Sequence, residues 1–245
     1  MDSGYYAAMT GLVARFQALD TAAANLANAQ TPGYRAEREY FRSALLGPDA
    51  LDSQLGRTVN NYGLLGGDRL SMAQGALQST GNPLDLAIEG DGFFQIQTSN
   101  GPRYTRDGSF RRAPNGQLVT AAGEPVLSSA GLAIAMPPGE ISVGDDGVLS
   151  SAGGTVATVG VFSFPKGSEL VPEGANRYMA PSGVVPVAAK GAAVHQGALE
   201  AANQDVIQGS LDLIVMQRQA EMMQKALTTF HTEFNKIATE DLPRV

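Results

Sequence analysis

Two apolar heptad seams sit at opposite ends of this chain, with a glycine-rich middle between them, and that arrangement constrains the fold more than any other feature. Near the N-terminus, Tyr5, Met9, Leu12, Phe16, Leu19, Ala23 and Leu26 follow spacings of 4, 3, 4, 3, 4 and 3. Such spacing makes a helix with one narrow apolar stripe. Asp2 or Ser3 can cap its start by accepting an orphan backbone N–H. Thr31-Pro32-Gly33 ends it, because Pro32 disfavours helical geometry at Thr31 and Gly33 permits a sharp redirection. The C-terminal segment repeats the device through Val206, Gly209, Leu213, Met216, Ala220, Met223, Leu227, Phe230, Phe234 and Ile237. A second row, Ile207, Leu211 and Ile214, widens its upstream half. Seams this narrow suit helices that pair with each other or with copies of themselves. The expectation is an antiparallel coiled-coil-like pair, with Tyr5, Met9, Leu12, Phe16, Leu19, Leu26, Leu213, Met216, Met223, Leu227, Phe230, Phe234 and Ile237 as assembly contacts.

The middle reads as β. Leu84 to Ile88 alternates, Glu89-Gly90-Asp91-Gly92 turns, and Phe93 to Gln97 follows as a strand. Asn100-Gly101 signals a hairpin, with Arg103 to Phe110 as the return strand. Asn115-Gly116 and Asp146-Gly147 mark further turns, and Thr155 to Phe164 is a β-branched and aromatic run. Short strands at this spacing predict an antiparallel sandwich or open barrel. Tyr34 to Leu46 is read as a continuing helix and Gly47 to Met72 as extended. The string Gln-Gly-Ala-Leu occurs at 74–77 and again at 196–199, bracketing the β region. The fold class is therefore α+β, divided as an N-terminal helix (1–33), an extended connector (34–73), a central all-β domain (74–199) and a C-terminal helix (200–245). With the seams unpartnered in an isolated chain, order is expected between about residues 76 and 195.

Composition removes most chemistry. There are no cysteines, so disulfides, thiolate zinc sites and cysteine nucleophiles are excluded. Two histidines, His195 and His231, cannot build a histidine metal site alone. The net charge of −7, with no basic block, argues against nucleic acid or an anionic membrane as partner. No apolar run approaches the roughly 20 residues of a membrane span, and the opening Met1-Asp2-Ser3-Gly4 lacks the basic region of a secretory signal. Ser163-Phe164-Pro165-Lys166 has a serine–lysine spacing, but Pro165 forbids the helix that spacing needs. Gly90-Asp91-Gly92 lacks the third glycine and helix of a dinucleotide loop. Asp145 and Asp146 are neighbours that face opposite ways on a strand. No catalytic constellation, metal site or cofactor site is expected.

Several strings together resemble the flagellar basal-body rod and hook protein family. Ala24-Asn25-Leu26-Ala27-Asn28-Ala29-Gln30-Thr31-Pro32-Gly33-Tyr34 is similar to its N-terminal signature, with Ala29-Gln30 where the family usually has Val-Asn. Gln74-Gly75-Ala76-Leu77, Asn82-Pro83-Leu84-Asp85-Leu86-Ala87-Ile88 and Gly90-Asp91-Gly92-Phe93-Phe94 are similar to its core signature. Tyr104 to Phe110, Gln196 to Glu200 and Gln217-Arg218 fit the same pattern. Length and opening residues are most like a proximal-rod member, with a distal-rod member as nearest competitor. The resemblance implies a non-enzymatic structural subunit of the rod, the drive shaft crossing the periplasm. It implies polymerisation with copies of itself and other rod proteins, and export through the flagellar type III apparatus without a cleaved signal. The alternatives are a distal-rod or hook subunit and, from another class, a β-rich extracytoplasmic enzyme.

Overall fold

Polar backbone groups of a helix satisfy one another locally, whereas those of the turn-rich middle need partners across the sheet. The structure, a computed structural model, describes residues 2–42, 64–165 and 167–236. Helix α1 spans Asp2–Ala27 and helix α2 spans Val206–Lys236. The chain divides into two compact units, the first within Met1–Ala27, Glu37–Arg69 and Val206–Val245, the second comprising Asn28–Ala36 and Leu70–Asp205. These limits differ from the boundaries expected at 33, 73 and 199. The segments just outside the helices hydrogen-bond into the β body and so belong to it.

In the first unit, α1 packs on α2 and on the strand Glu37–Arg42, which pairs with Leu64–Leu70. The continuing helix expected from Tyr34 to Leu46 is thus corrected over 37–42, and residues 43–46 lie outside the described set. The side chain of Asn25 explains the change. It donates to the Glu37 carbonyl at 2.7 Å and accepts from the Glu37 N–H at 2.9 Å, holding extended backbone where a helix would need those groups.

Burial along α1 falls on small residues. Gly11, Ala14, Ala18 and Asn25 are buried, Leu12, Leu19 and Leu26 are half-buried, and Met9 and Phe16 are exposed. On α2, Gly209 and Ala220 are buried, while Leu213, Met216, Met223 and Leu227 are half-buried. Tyr5, Phe230 and Phe234 lie on the helices with side chains outside the described set, and Ile237 lies outside the described residues.

The second unit is largely antiparallel β. Its main sheet has six strands in the order Val171–Gly174, Arg177–Met179, Gly101–Thr105, Phe93–Thr98, Val161–Ser163 and Val187–Ala188. Successive side chains point to opposite faces of a strand, so Phe93 and Phe94 enter different cores. Phe94 and Ile96 join Leu86, Ile88, Phe110 and Leu149 in the larger core. Phe93 joins Tyr104, Leu170 and Tyr178 in the smaller one. Each buried aromatic contributes roughly 1.5–3 kcal/mol.

Two strand expectations shift. The hairpin loop is Ser99-Asn100, since Thr98 already pairs with Gly101. The single run from Thr155 to Phe164 is two strands in different sheets, Gly154–Thr158 and Val161–Ser163, with a corner at Gly160. The Gly160 N–H bonds the Leu127 carbonyl, and its Cα lies so close to backbone at 127–128 that a side chain would collide.

The hairpin joining Val171–Gly174 to Arg177–Met179 turns through Ala175 and Asn176 at φ of 49° and 57°. Left-handed geometry strains alanine but not glycine. Ala175→Gly should therefore stabilise the chain by about 0.5–1 kcal/mol, after the entropy glycine adds to the unfolded state. Urea unfolding would measure it as a higher midpoint, and an unchanged or lower midpoint would show the turn is unstrained.

Candidate functional site

Three charged residues in or beside motif strings far apart in sequence are brought together by the fold. Arg35 follows Thr31-Pro32-Gly33-Tyr34, Arg106 follows the strand Gly101–Thr105, and Glu200 ends the strand Ala198–Glu200. Glu200 lies between the arginines. Its Oε1 accepts from Arg35 Nη2 at 3.0 Å and from the Gly75 N–H at 2.8 Å, and its Oε2 accepts from Arg106 Nη1 at 2.9 Å. All three side chains are at most 3% exposed.

The cluster ties backbone as well as charge. Arg35 Nη1 donates to the Ala73 carbonyl. Arg106 donates to the carbonyls of Ile88 at 3.1 Å and Gly90 at 2.6 Å, and its guanidinium lies 5.2 Å from the Phe93 ring centre. Gln74 spans the same strand end, donating to the Ile88 carbonyl and accepting from the Gly90 N–H. Burial pushes both guanidinium groups below their ordinary pKa, and the Glu200 charge acts in the opposite direction.

The motif residues singled out in the sequence surround this cluster. Asn28 and Thr31 form the turn leaving α1, with the Thr31 N–H bonded to the Asn28 carbonyl. Pro32 offers its carbonyl to Asn176 Nδ2 at 2.6 Å, and the Gly33 N–H donates to the Glu200 carbonyl at 2.7 Å. Gly33 has φ of 67°, and a side chain there would overlap the Arg106–Asp107 peptide, so only glycine fits on both counts. Asn82 and Asp85 close their own turn, Asn82 Nδ2 donating to Asp85 Oδ1 at 2.8 Å, while the Pro83 carbonyl accepts from Gln196. Leu84 packs on the larger core, Gly92 is buried, and Phe93 and Phe94 take opposite sheet faces.

The two copies of Gln-Gly-Ala-Leu meet here as well. Leu77–Ser79 pairs antiparallel with Ala198–Glu200, Leu77 opposite Glu200. Asn203 completes the junction: its Oδ1 accepts from the Ala36 N–H, and its Nδ2 donates to the Ser71 and Ala73 carbonyls. Arg35, Arg106, Glu200, Asn203 and Gln74 were not among the candidate residues chosen from sequence. The available signal was a charged residue in or directly after a matching string, Arg35 after Tyr34, Arg106 within Tyr104 to Phe110 and Glu200 at the end of Gln196 to Glu200. Asn25 supports α1 in the helical unit, apart from this cluster. Among the described residues no group of side chains could hold a metal ion.

Removing one partner of a buried ion cluster leaves an uncompensated charge, typically at a cost of several kcal/mol. Glu200→Gln retains shape but strands two cationic groups, and should lower stability by about 3 kcal/mol. Thermal or urea unfolding of the full chain would measure it. A loss below about 1 kcal/mol, the scale of a surface ion pair, would show that the cluster is weakly coupled.

Comparison with known proteins agrees with this construction. The family described as flagella basal body rod protein matches residues 6–35, and the flagellar hook protein FlgE/F/G D1 domain matches residues 87–151. The chain is 34% identical over 248 residues to the flagellar basal-body rod protein FlgF of Caulobacter vibrioides, covering 100% of both chains. It is 34% identical over 244 residues to FlgF of Escherichia coli, covering 94% of each. It is also 31% identical over 246 residues to the rod protein FlgG of Bacillus subtilis, covering 91% of this chain and 93% of the other. On full-length similarity and two family matches, one reaching Arg35 and the other containing Arg106, the chain belongs to the flagellar basal-body rod protein family and is most like FlgF.

Proposed function

We propose that the chain is a structural, non-enzymatic subunit of the flagellar rod, and that its terminal helices divide the work of assembly by side-chain size. The exposed apolar side chains on the helices carry this reading. Gly11, Ala14 and Ala18 on α1, with Gly209 and Ala220 on α2, supply the close contact within one chain. Helix axes approach most closely where the contacting side chains are small. The large apolar residues then remain outside. Val13 is 53% exposed, Phe16 44%, Ile207 74%, Leu211 53% and Met222 64%. Val13 and Phe16 lie about one turn apart on α1, as do Ile207 and Leu211 on α2, and exposed apolar side chains grouped in this way mark an interaction site. Its partners are copies of the same chain and other rod proteins, whose names place them in the basal body.

The remaining parts of the reading rest on family resemblance: a rod position in the periplasm and export through the flagellar type III apparatus without signal cleavage. No described helix is long and apolar enough to cross a membrane.

Phe16→Asp should block incorporation into rods and abolish motility while leaving the melting of the β body unchanged. A charge forced into an apolar interface carries a desolvation cost of several kcal/mol. Leu19→Asp and Phe230→Asp test the half-buried and distal positions in the same way. A motile Phe16→Asp strain with normal rods would remove the outer face from the assembly surface.

The two helices are proposed to run antiparallel, because the chain enters the β body from the end of α1 and leaves it at the start of α2. Leu19→Cys with Met223→Cys, scanned over neighbouring positions, should then cross-link in assembled rods, whereas Tyr5→Cys with Met216→Cys should not. A disulfide needs Cα atoms roughly 4.4–6.8 Å apart, and the chain has no native cysteine to interfere. Cross-linking confined to the second pair would replace the antiparallel arrangement with a parallel one.

A further inference from the structure

Arg35 and Arg106 do more than clasp Glu200: both also line a cavity of about 820 Å³ within the β body. Its apolar wall includes Phe93 and Phe164, whose rings meet edge to face at 6.0 Å. Asp91 and Lys190, both exposed, line it too. Among the described residues the charges do not balance. Arg35, Arg106 and Lys190 bring three positive charges against the two carboxylates Asp91 and Glu200. Both oxygens of Glu200 are already engaged, Oε1 by Arg35 and Gly75 and Oε2 by Arg106. Asp91 acts on both arginines through space. Two donors remain unanswered, since the Nε atoms of Arg35 and Arg106 are buried and have no hydrogen-bond partner. In a chain of net charge −7 this is a local reversal of sign.

We infer that this cavity binds a carboxylate carried on an apolar stem. The carboxylate would supply the missing negative charge beside Arg35, Arg106 and Lys190, and the stem would lie against Phe93 and Phe164. The volume falls within the roughly 300–1,000 Å³ of small-ligand pockets, which combine apolar walls with a few fixed polar groups. Burial already weakens the charged form of both guanidinium groups, so a further anion is favoured there. The same chemistry can come from a free small carboxylic acid or from an acidic side chain of a neighbouring chain.

The test uses the full chain and 3-phenylpropionate, with the neutral 3-phenylpropanamide and the cationic 3-phenylpropylamine as controls, titrated by NMR at low ionic strength. Saturable binding of the carboxylate is expected, with both controls weaker by about ten-fold or more, the scale of a lost charge-assisted hydrogen bond. Lys190→Gln should weaken it by about five-fold and Asp91→Asn strengthen it by a similar factor, since each changes one charge on the cavity lining. Both residues are exposed, so neither change threatens folding. Equal binding of the amide, affinity that ignores both charge changes, or no saturation would each overturn the inference. Sedimentation separates the sources. Self-association weakened by both the probe and Lys190→Gln places a neighbour's acidic side chain in the cavity, and association indifferent to both assigns it to a free carboxylic acid.

Discussion

A carboxylate shared by two buried arginines is the interaction on which the β body depends. Glu200 belongs to the last strand before α2, Arg35 follows the turn that ends α1, and Arg106 closes the central hairpin. No short-range preference brings these residues together. An unpaired ion this deep costs several kcal/mol, a large fraction of a domain's net stability, so each segment is held best while the other two are in place. That mutual requirement ties both ends of the β body to its middle. It also accounts for the glycines beside it. Gly33 lies against the Arg106–Asp107 peptide and Gly75 against the Ala201 carbonyl, at separations no side chain would allow.

A second constraint operates in the helical unit, where side-chain size rather than charge sorts the contacts. Gly11, Ala14 and Ala18 are covered within the chain, while Val13 and Phe16 are left to solvent. Covering large residues within one chain would have separated the helices and given more intrachain stability. In the proposed assembly, leaving them outside reserves dispersion and apolar burial for contacts with neighbouring subunits. Within a single chain Leu12, Leu19, Leu26, Leu213, Met216, Met223 and Leu227 stay half-buried, so part of their apolar surface also remains in water.

Much of this architecture was legible in the residues, and the exceptions share a physical cause. The terminal helices and the turn after Thr31 follow from periodicity and from proline and glycine chemistry, which act over a few residues. The hairpin was placed to within one residue, because Asn100-Gly101 marks a loop without saying which of the two begins the ladder. Tyr34 to Leu46 reads as a continuing helix, and what overrides that over 37–42 is the side chain of Asn25, twelve residues before Glu37. The α1 stripe followed the largest residues, although burial in the single chain follows the smallest. The ion cluster was invisible for a related reason. Single charged residues in or beside three separate strings carry no periodic signal, and their meaning exists only once the strings meet.

Whether such a cluster could be replaced by apolar side chains depends on what else it holds. Elsewhere, buried arginine–glutamate triads have been exchanged for hydrophobic residues with a gain in stability. Here the arginines also serve backbone. Arg106 answers the Gly90 carbonyl, Arg35 and Arg106 share the Ala73 and Ile88 carbonyls with Asn203 and Gln74, and Glu200 answers the Gly75 N–H. A hydrophobic triad would fill the same volume and leave Gly75 and Gly90 without these partners, each at roughly 1–3 kcal/mol. The backbone at 73–75 and 88–90 would then lose the contacts that set its register against residues 196–203. The charges are therefore retained for the position they impose on three chain segments, and their attraction for one another is only the part of that function easiest to see.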